Sequence, residues 1–173
     1  MGLSLLYAVG ICVAGAMLEG LFAGRRIKQR FAELRLPRFA PPLWTWILIG
    51  LGYYAMCFAV SYRLLCAPAT ALTYASLAML GGFMFVNAFW NYFFFRTRNT
   101  YHAFLVSVHY SLMALFLFVL LLRTDPVAAG CLSPYLVYLA FGIAWGYWVW
   151  KLNPPPGEQW GPSAEPASWR PFQ

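Results

Sequence analysis

Five apolar stretches, each long enough to cross a lipid bilayer, occupy most of this 173-residue chain. They cover about residues 3–23, 43–65, 71–95, 103–122 and 127–150, and a membrane-spanning helix needs about 20 apolar residues. Because hydrocarbon offers the backbone no hydrogen-bond partners, each stretch must be helical. With only 10% charged residues, the chain is unlike a soluble domain. The sequence therefore predicts an all-α fold, an integral membrane bundle of five transmembrane helices.

The chain divides into a transmembrane domain, residues 1–153, and a tail, residues 154–173. No charged segment precedes Leu3, and Glu19 lies well inside the first stretch, so this stretch is predicted to be a retained helix rather than a cleaved signal peptide. The stretch "NPPPGEQWGPSAEPASWRPFQ" contains six prolines, a composition typical of extended or disordered segments that become ordered on a partner surface.

Positive charge is concentrated at one end of the predicted bundle. With five spans, the first loop, the third loop and the tail share one side and carry ten basic residues: Arg25, Arg26, Lys28, Arg30, Arg35, Arg38, Arg96, Arg98, Lys151 and Arg170. The other side carries only Arg63 and Arg123. The positive-inside rule places the basic side in the cytoplasm and the N-terminus opposite. Anionic lipid headgroups, not nucleic acid, are the expected partners of this charge.

Few polar side chains lie inside the spans, and they do not form a catalytic pattern. These are Glu19, Asn87, Asn91 and His109. The four cysteines show no paired spacing, and no metal-spaced cluster or Ser–His–Asp set occurs, so we expect no enzyme and no metal site. His109 is a weak candidate ligand for the metal of a pigment; hydrogen bonding to a neighbouring helix is the competing interpretation.

Two aromatic stripes suggest a binding cleft. In "NAFWNYFFF", residues 87–95, about 100° per residue puts Asn87, Trp90 and Asn91 on one helix face. A second stripe follows the last helix, at Tyr138, Phe141, Trp145 and Trp148. Facing rings with a few amides favour a flat hydrophobic ligand, although the two stripes packed against each other would give the same pattern.

The chain resembles the TspO/MBR family of tryptophan-rich sensory and translocator proteins in three stretches. "FAELRLPRFAPPLWTWILIGLGYY" is similar to the family's Tyr-Ala-x-Leu-x-Lys-Pro-x-Trp-x-Pro-Pro-x-Trp. "NAFWNYFFF" is similar to Asn-x-x-Trp followed by Phe-Phe, and "SPYLVYLAFGIAWGYWVWKLN" to Pro-Tyr-Leu-x-Trp-x-x-Phe with a Trp–basic–x–Asn end. The resemblance covers about residues 15–153 and implies a five-helix bundle with a pocket towards the first loop.

Residues are carried over from the family by motif. The resemblance implies pocket positions at Trp44, Asn87, Trp90, Tyr138, Gly142 and Trp145, while His102 falls where the family often has an aromatic residue. Asn91 joins them because it shares a face with Asn87. Gly50 stands where the family usually has a second Trp, Tyr138 replaces another Trp, and Trp145-Gly146 replaces Leu-Asn. These departures predict a ligand of altered shape.

Three functions remain open on this basis. The first is a non-enzymatic protein that binds a tetrapyrrole (porphyrin, haem or a (bacterio)chlorophyll type) or a similar flat ligand for sensing, handling or transport. The second is an accessory subunit of a photosynthetic or respiratory complex that uses the same fold, with helix faces and the tail 154–173 docking on partners; a homodimer would use such faces too. The third is light- or oxygen-dependent porphyrin degradation involving Trp145.

Overall fold

The computed structural model describes residues 2–25 and 27–154 together with the backbone of residues 169–170. Six α-helices account for most of it: α1 Gly2–Ala23, α2 Ile27–Glu33, α3 Leu43–Cys66, α4 Ala71–Asn91, α5 Thr100–Thr124 and α6 Pro126–Leu152. A π-helical turn, Tyr92–Arg96, continues α4. Five of these segments are long and apolar enough to cross a membrane, so the predicted all-α bundle with five spans is confirmed.

Local sequence explains where the helices begin and end. Gly24 follows α1 with φ +72°, a left-handed conformation that favours glycine and ends helices. Thr70 caps α4 by accepting a hydrogen bond from Thr73 N at 3.2 Å. Asp125 caps α6, where Pro126 occupies the first turn without losing a hydrogen bond. Short caps of this kind let long helices start abruptly at the membrane surface.

Small residues allow the helices to approach each other closely. Ala8, Ala88, Ala114 and Ala128 are fully buried, and such residues are typical of helix contacts in lipid, where packing rather than water exclusion drives association. Gly15 lies where a Cβ would come within 2.7 Å of Met84 Cε, so α1 and α4 approach closely here. Helix α5 packs between α4 and α6, while α1 packs on α3 and α4.

The first loop, the third loop and the end of α6 lie at the same end of the bundle. Arg35 N donates to Asn153 Oδ1 at 2.9 Å, and an Arg98 Nη1–Glu33 Oε2 ion pair of 3.1 Å joins the two loops. These contacts bring the exposed residues Arg35 and Arg98 to the same end of the bundle. The opposite end carries the Arg63–Asp125 pair, with Nε and Oδ2 2.8 Å apart.

The buried side chains form two clusters along the bundle axis. The larger cluster contains Tyr53, Phe83, Tyr110, Leu117 and Leu132 among others. The smaller cluster lies at the end with the first loop and joins α2 to the rest of the bundle through Phe31, Leu34, Leu36, Phe94, Trp145 and Val149. Residues 36–37 also pair as a two-residue antiparallel strand with residues 169–170. Most of the predicted tail lies outside the described residues.

Candidate functional site

A cavity of about 320 Å³ lies between the helices, at the end of the bundle covered by the first loop. Members of both buried clusters line it, so it occupies the place where the clusters meet. Ile27 from α2 and Ile47 from α3 line it while remaining 37% and 61% exposed, respectively. The mouth of the cavity therefore opens between the first loop and α3.

A carboxylate and two amides form the polar side of this cavity. Asn87 Nδ2 donates a hydrogen bond to Glu19 Oε1, which links α4 to α1. Asn91 Nδ2 donates to the carbonyl oxygen of Asn87 at 3.0 Å. Because an isolated polar group is costly inside a membrane, these contacts explain how the amides are tolerated in helix α4.

Aromatic rings form a continuous wall beside these polar side chains. Trp90 stacks on Phe94 with centroids 4.7 Å apart and an interplanar angle of 13°. Phe94 lies 5.5 Å from Trp145, and Trp145 lies 4.7 Å from Trp46. The indole N–H of Trp145 is buried without a hydrogen-bond partner among the described residues. The wall is held by ring packing, which presents flat apolar surface to the cavity.

Tyrosines close the inner end of the cavity. The hydroxyls of Tyr110 and Tyr135 are 3.0 Å apart and hydrogen-bonded, and Tyr110 stacks on Phe83 at 4.3 Å. The Tyr138 ring lies 5.2 Å from that of Tyr135 and extends the aromatic surface towards the mouth. These paired hydroxyls satisfy each other, as buried polar groups must, and make a rigid floor.

Helix α2 forms the cover of the cavity, and Arg30 fixes it in place. Arg30 Nε donates to the carbonyl oxygen of Phe94 at 3.2 Å, and its Nη2 donates to that of Arg98 at 3.0 Å. Both carbonyls lie at the end of α4 and its π-helical turn, where helical partners run out. Burial lowers the pKa of Arg30, as does the charge of Arg98, while Glu33 opposes them. These two hydrogen bonds of Arg30 hold α2 so that Ile27 and Phe31 lie over the cavity.

Six of the eight side chains predicted for the ligand site line the cavity: Asn87, Trp90, Asn91, Tyr138, Gly142 and Trp145. The structure does not bring the other two to it. Trp44 is 61% exposed on the outer face of α3, and His102 is exposed and stacks on Phe93 at 5.5 Å. Ligand binding by all eight stays a prediction.

His109 lies on the outer surface of α5. It is exposed, and its Nδ1 is 2.8 Å from the carbonyl oxygen of Leu105, one turn earlier in the same helix. No group of three His, Cys, Asp or Glu residues that could hold a metal ion occurs in the part of the chain that the structure describes. The described lining of the cavity consists of aromatic and aliphatic side chains with a few hydrogen-bonding groups.

Several residues that line the cavity carry no distinctive signal in the sequence. Trp46, Tyr53, Tyr110 and Tyr135 line the cavity, and their ring composition alone did not separate them from ordinary packing residues. Helix α2 was treated as a plain loop, although Ile27, Phe31 and Leu34 recur at helical spacing and could have indicated a short amphipathic helix.

The chain also matches a known protein family. The model of the TspO/MBR family matches residues 8–151, which include all five spans except residues 2–7 of α1 and the last residue of α6. The matched segment contains every described residue that lines the cavity.

Proposed function

Because the chain belongs to the TspO/MBR family, we propose that this multi-pass membrane protein is non-enzymatic and binds a tetrapyrrole or a similar flat hydrophobic ligand. The cavity is the observation that carries the proposal: tryptophan and tyrosine rings line it together with two amides. Small-molecule sites combine mainly apolar walls with a few polar groups in this way. Sensing, handling or transport of the ligand would follow from its capture within the bilayer.

The proposed roles follow from position. Trp90 and Trp145 belong to the ring wall and would stack on the ligand, while Asn87 and Asn91 would face its polar edge. A Cβ added at Gly142 would meet no atom within 4 Å, so this glycine leaves space for the ring. The volume, about 320 Å³, is at the lower end of the range for small-molecule sites, about 300–1,000 Å³. A tetrapyrrole would thus extend through the mouth between Ile27 and Ile47.

We also propose that the end with the first loop faces the cytoplasm. Its exposed basic residues include Arg25, Lys28, Arg35 and Arg98, and basic residues near span ends favour the cytoplasmic side. The same residues would contact anionic lipid headgroups. The ligand would then enter from the cytoplasmic half of the membrane.

A role as accessory subunit of a larger membrane complex is the second candidate. The outer face of α1 supports it: Leu6 and Met17 are 69% and 71% exposed, and a Cβ at Gly10 or Gly20 would meet no atom within 4 Å. Small residues on an open face suit contact with another helix. Purification in mild detergent separates the candidates, since an accessory subunit would migrate with a large complex and a free binding protein would not.

The ligand proposal is tested by titrating the purified protein with protoporphyrin and following tryptophan fluorescence. We expect saturable quenching that Trp90→Ala weakens by about tenfold in affinity, the loss expected when about 1.4 kcal/mol of stacking is removed. Trp44→Ala removes an exposed tryptophan outside the cavity and serves as the matched control. An equal loss of affinity in both variants, or unchanged affinity in Trp90→Ala, would show that the aromatic wall is not part of the ligand site.

A further inference from the structure

One carboxyl group sets the electrostatic character of the described lining of the cavity. Glu19 supplies the only carboxylate among the described residues that line the cavity, and no lysine, arginine or histidine is among them. A carboxylate in the lining repels an anionic group and favours a cation. Ring stacking alone does not require this asymmetry.

The carboxylate has capacity for a ligand. Asn87 Nδ2 donates to Glu19 Oε1, and a carboxylate offers about four lone-pair positions. Glu19 is also only partly buried, because it borders the cavity. A carboxylate is costly inside a bilayer unless it is paired with a cation or with hydrogen-bond donors, so a bound positive charge would stabilise it strongly.

The rings strengthen the same preference. Trp46, Trp90 and Trp145 line the cavity, and the faces of indole rings attract cations. Trp90 lies one helical turn from Asn87, on the same side of α4, so the ring wall begins beside the Glu19–Asn87 pair. A molecule in the cavity would meet both features at once.

We propose that the cavity selects a flat apolar ligand bearing a basic nitrogen, and that the protonated nitrogen donates its hydrogen bond to the carboxylate of Glu19. The inference deepens the proposed function and rests on it, because it names the polar group of the ligand that this cavity recognises. Asn87 is the positioning residue, since its amide holds the Glu19 carboxylate towards α4.

The arrangement also orients a ligand that carries acidic groups. The carboxylates of such a molecule would lie at the mouth, near Lys28, which is exposed and follows Ile27 in the chain. The end of the molecule that carries the nitrogen would point inwards to Glu19. The orientation of the ligand thus follows from one carboxylate inside the cavity and basic residues outside it.

The test uses two fluorescent probes of similar shape, 9-(methylaminomethyl)anthracene, which is protonated at neutral pH, and uncharged 9-propylanthracene. Full-length protein in zwitterionic lipid nanodiscs is titrated with each probe, and energy transfer from tryptophan to anthracene reports binding. We expect wild type to bind the amine about tenfold or more tightly than the neutral probe, the ratio that a hydrogen-bonded charge contributes. Glu19→Gln, which keeps the shape of the side chain, should abolish this ratio.

Glu33→Gln is the control, because Glu33 pairs with Arg98 and does not line the cavity; it should retain the wild-type ratio. Equal affinity of wild type for the two probes would overturn the inference while leaving the proposed cavity function intact, and so would a ratio that survives Glu19→Gln. Failure of both probes to bind wild type would count against the proposed function itself. Equal affinities in wild type would overturn the inference even if Glu19→Gln folds poorly.

Discussion

Asn153 and Arg35 hydrogen-bond to each other in both directions across the end of the bundle. Arg35 N donates to Asn153 Oδ1 at 2.9 Å, and Asn153 Nδ2 donates to the carbonyl oxygen of Arg35 at 2.8 Å. A single side-chain amide thus replaces the backbone pairing that a strand would provide. It fixes the first loop, and with it the cover of the cavity, to the C-terminal end of α6.

Replacing Asn153 should loosen this end of the protein. Asn153→Ala removes both bonds to Arg35 and the 2.8 Å bond from Nδ2 to Val149 O, so we expect the free energy of unfolding to fall by about 2 kcal/mol at about 1 kcal/mol per bond, less what water restores. Thermal unfolding in detergent measures the loss. Gln29→Ala, which breaks an exposed contact to Glu33, should change it little; equal effects would contradict the role of Asn153.

Arg30 should be needed to hold α2 against the bundle. Arg30→Met keeps much of the apolar stem but leaves the carbonyls of Phe94 and Arg98 without this donor, so we expect a loss of about 2 kcal/mol. Hydrogen exchange should rise across Ile27–Glu33. Lys28→Met, an exposed change on the same helix, is the matched control. Rapid exchange in both variants would mean that α2 does not depend on the two hydrogen bonds of Arg30.

The five spans could be predicted because their signal is local. An apolar run of about 20 residues has one stable conformation in lipid, so the sequence places each helix within a few residues of its observed ends. The π-helical turn Tyr92–Arg96 has no such signal. Its carbonyl at Phe94 accepts a hydrogen bond from Arg30 Nε, 64 positions away along the chain, and a contact at that distance in sequence leaves no local pattern.

The site was partly predictable for a related reason. Asn87, Trp90 and Asn91 share a face within one helix, which helical spacing reveals. The partner of Asn87 could not be read in this way, because Glu19 lies on another helix and contact between helices depends on their packing. Trp148 belongs to the same predicted stripe as Trp145, yet it is 45% exposed. Helical spacing therefore identifies which face of the helix is aromatic, but not which residues of that face are buried.

Asp125 should make stability depend on pH at the other end of the bundle. Burial raises the pKa of Asp125, but the hydrogen bond from Arg63 and those from the Ala128 and Val127 N–H groups lower it more, and the net pKa lies below its usual value. Stability from a carboxyl group of this kind is present above its unfolded pKa of about 3.9 and is lost as the pH falls through the folded pKa.

Thermal unfolding between about pH 6 and pH 3 tests this, with about 3.9 as the unfolded reference. Wild type should be more stable than Asp125→Asn at neutral pH, and the two should converge as the pH falls. Asp125→Asn keeps an acceptor for the N-terminus of α6, whereas Asp125→Ala does not, so the alanine variant should be less stable by about a further 1 kcal/mol. Curves for wild type and Asp125→Asn that stay parallel would show that the carboxylate charge contributes nothing.

Gly50 should control the capacity of the cavity. Gly50 lines it, and a Cβ built there would meet no atom within 4 Å, so Gly50→Trp can place an indole in the cavity without displacing the bundle. We expect the affinity for protoporphyrin to fall by about tenfold or more, equivalent to about 1.4 kcal/mol, with an unchanged unfolding temperature. Gly52→Trp is the matched control: Gly52 is exposed, does not line the cavity and has equally open space around it. If the two variants bound protoporphyrin equally well, the ligand would have to occupy a different surface of the protein.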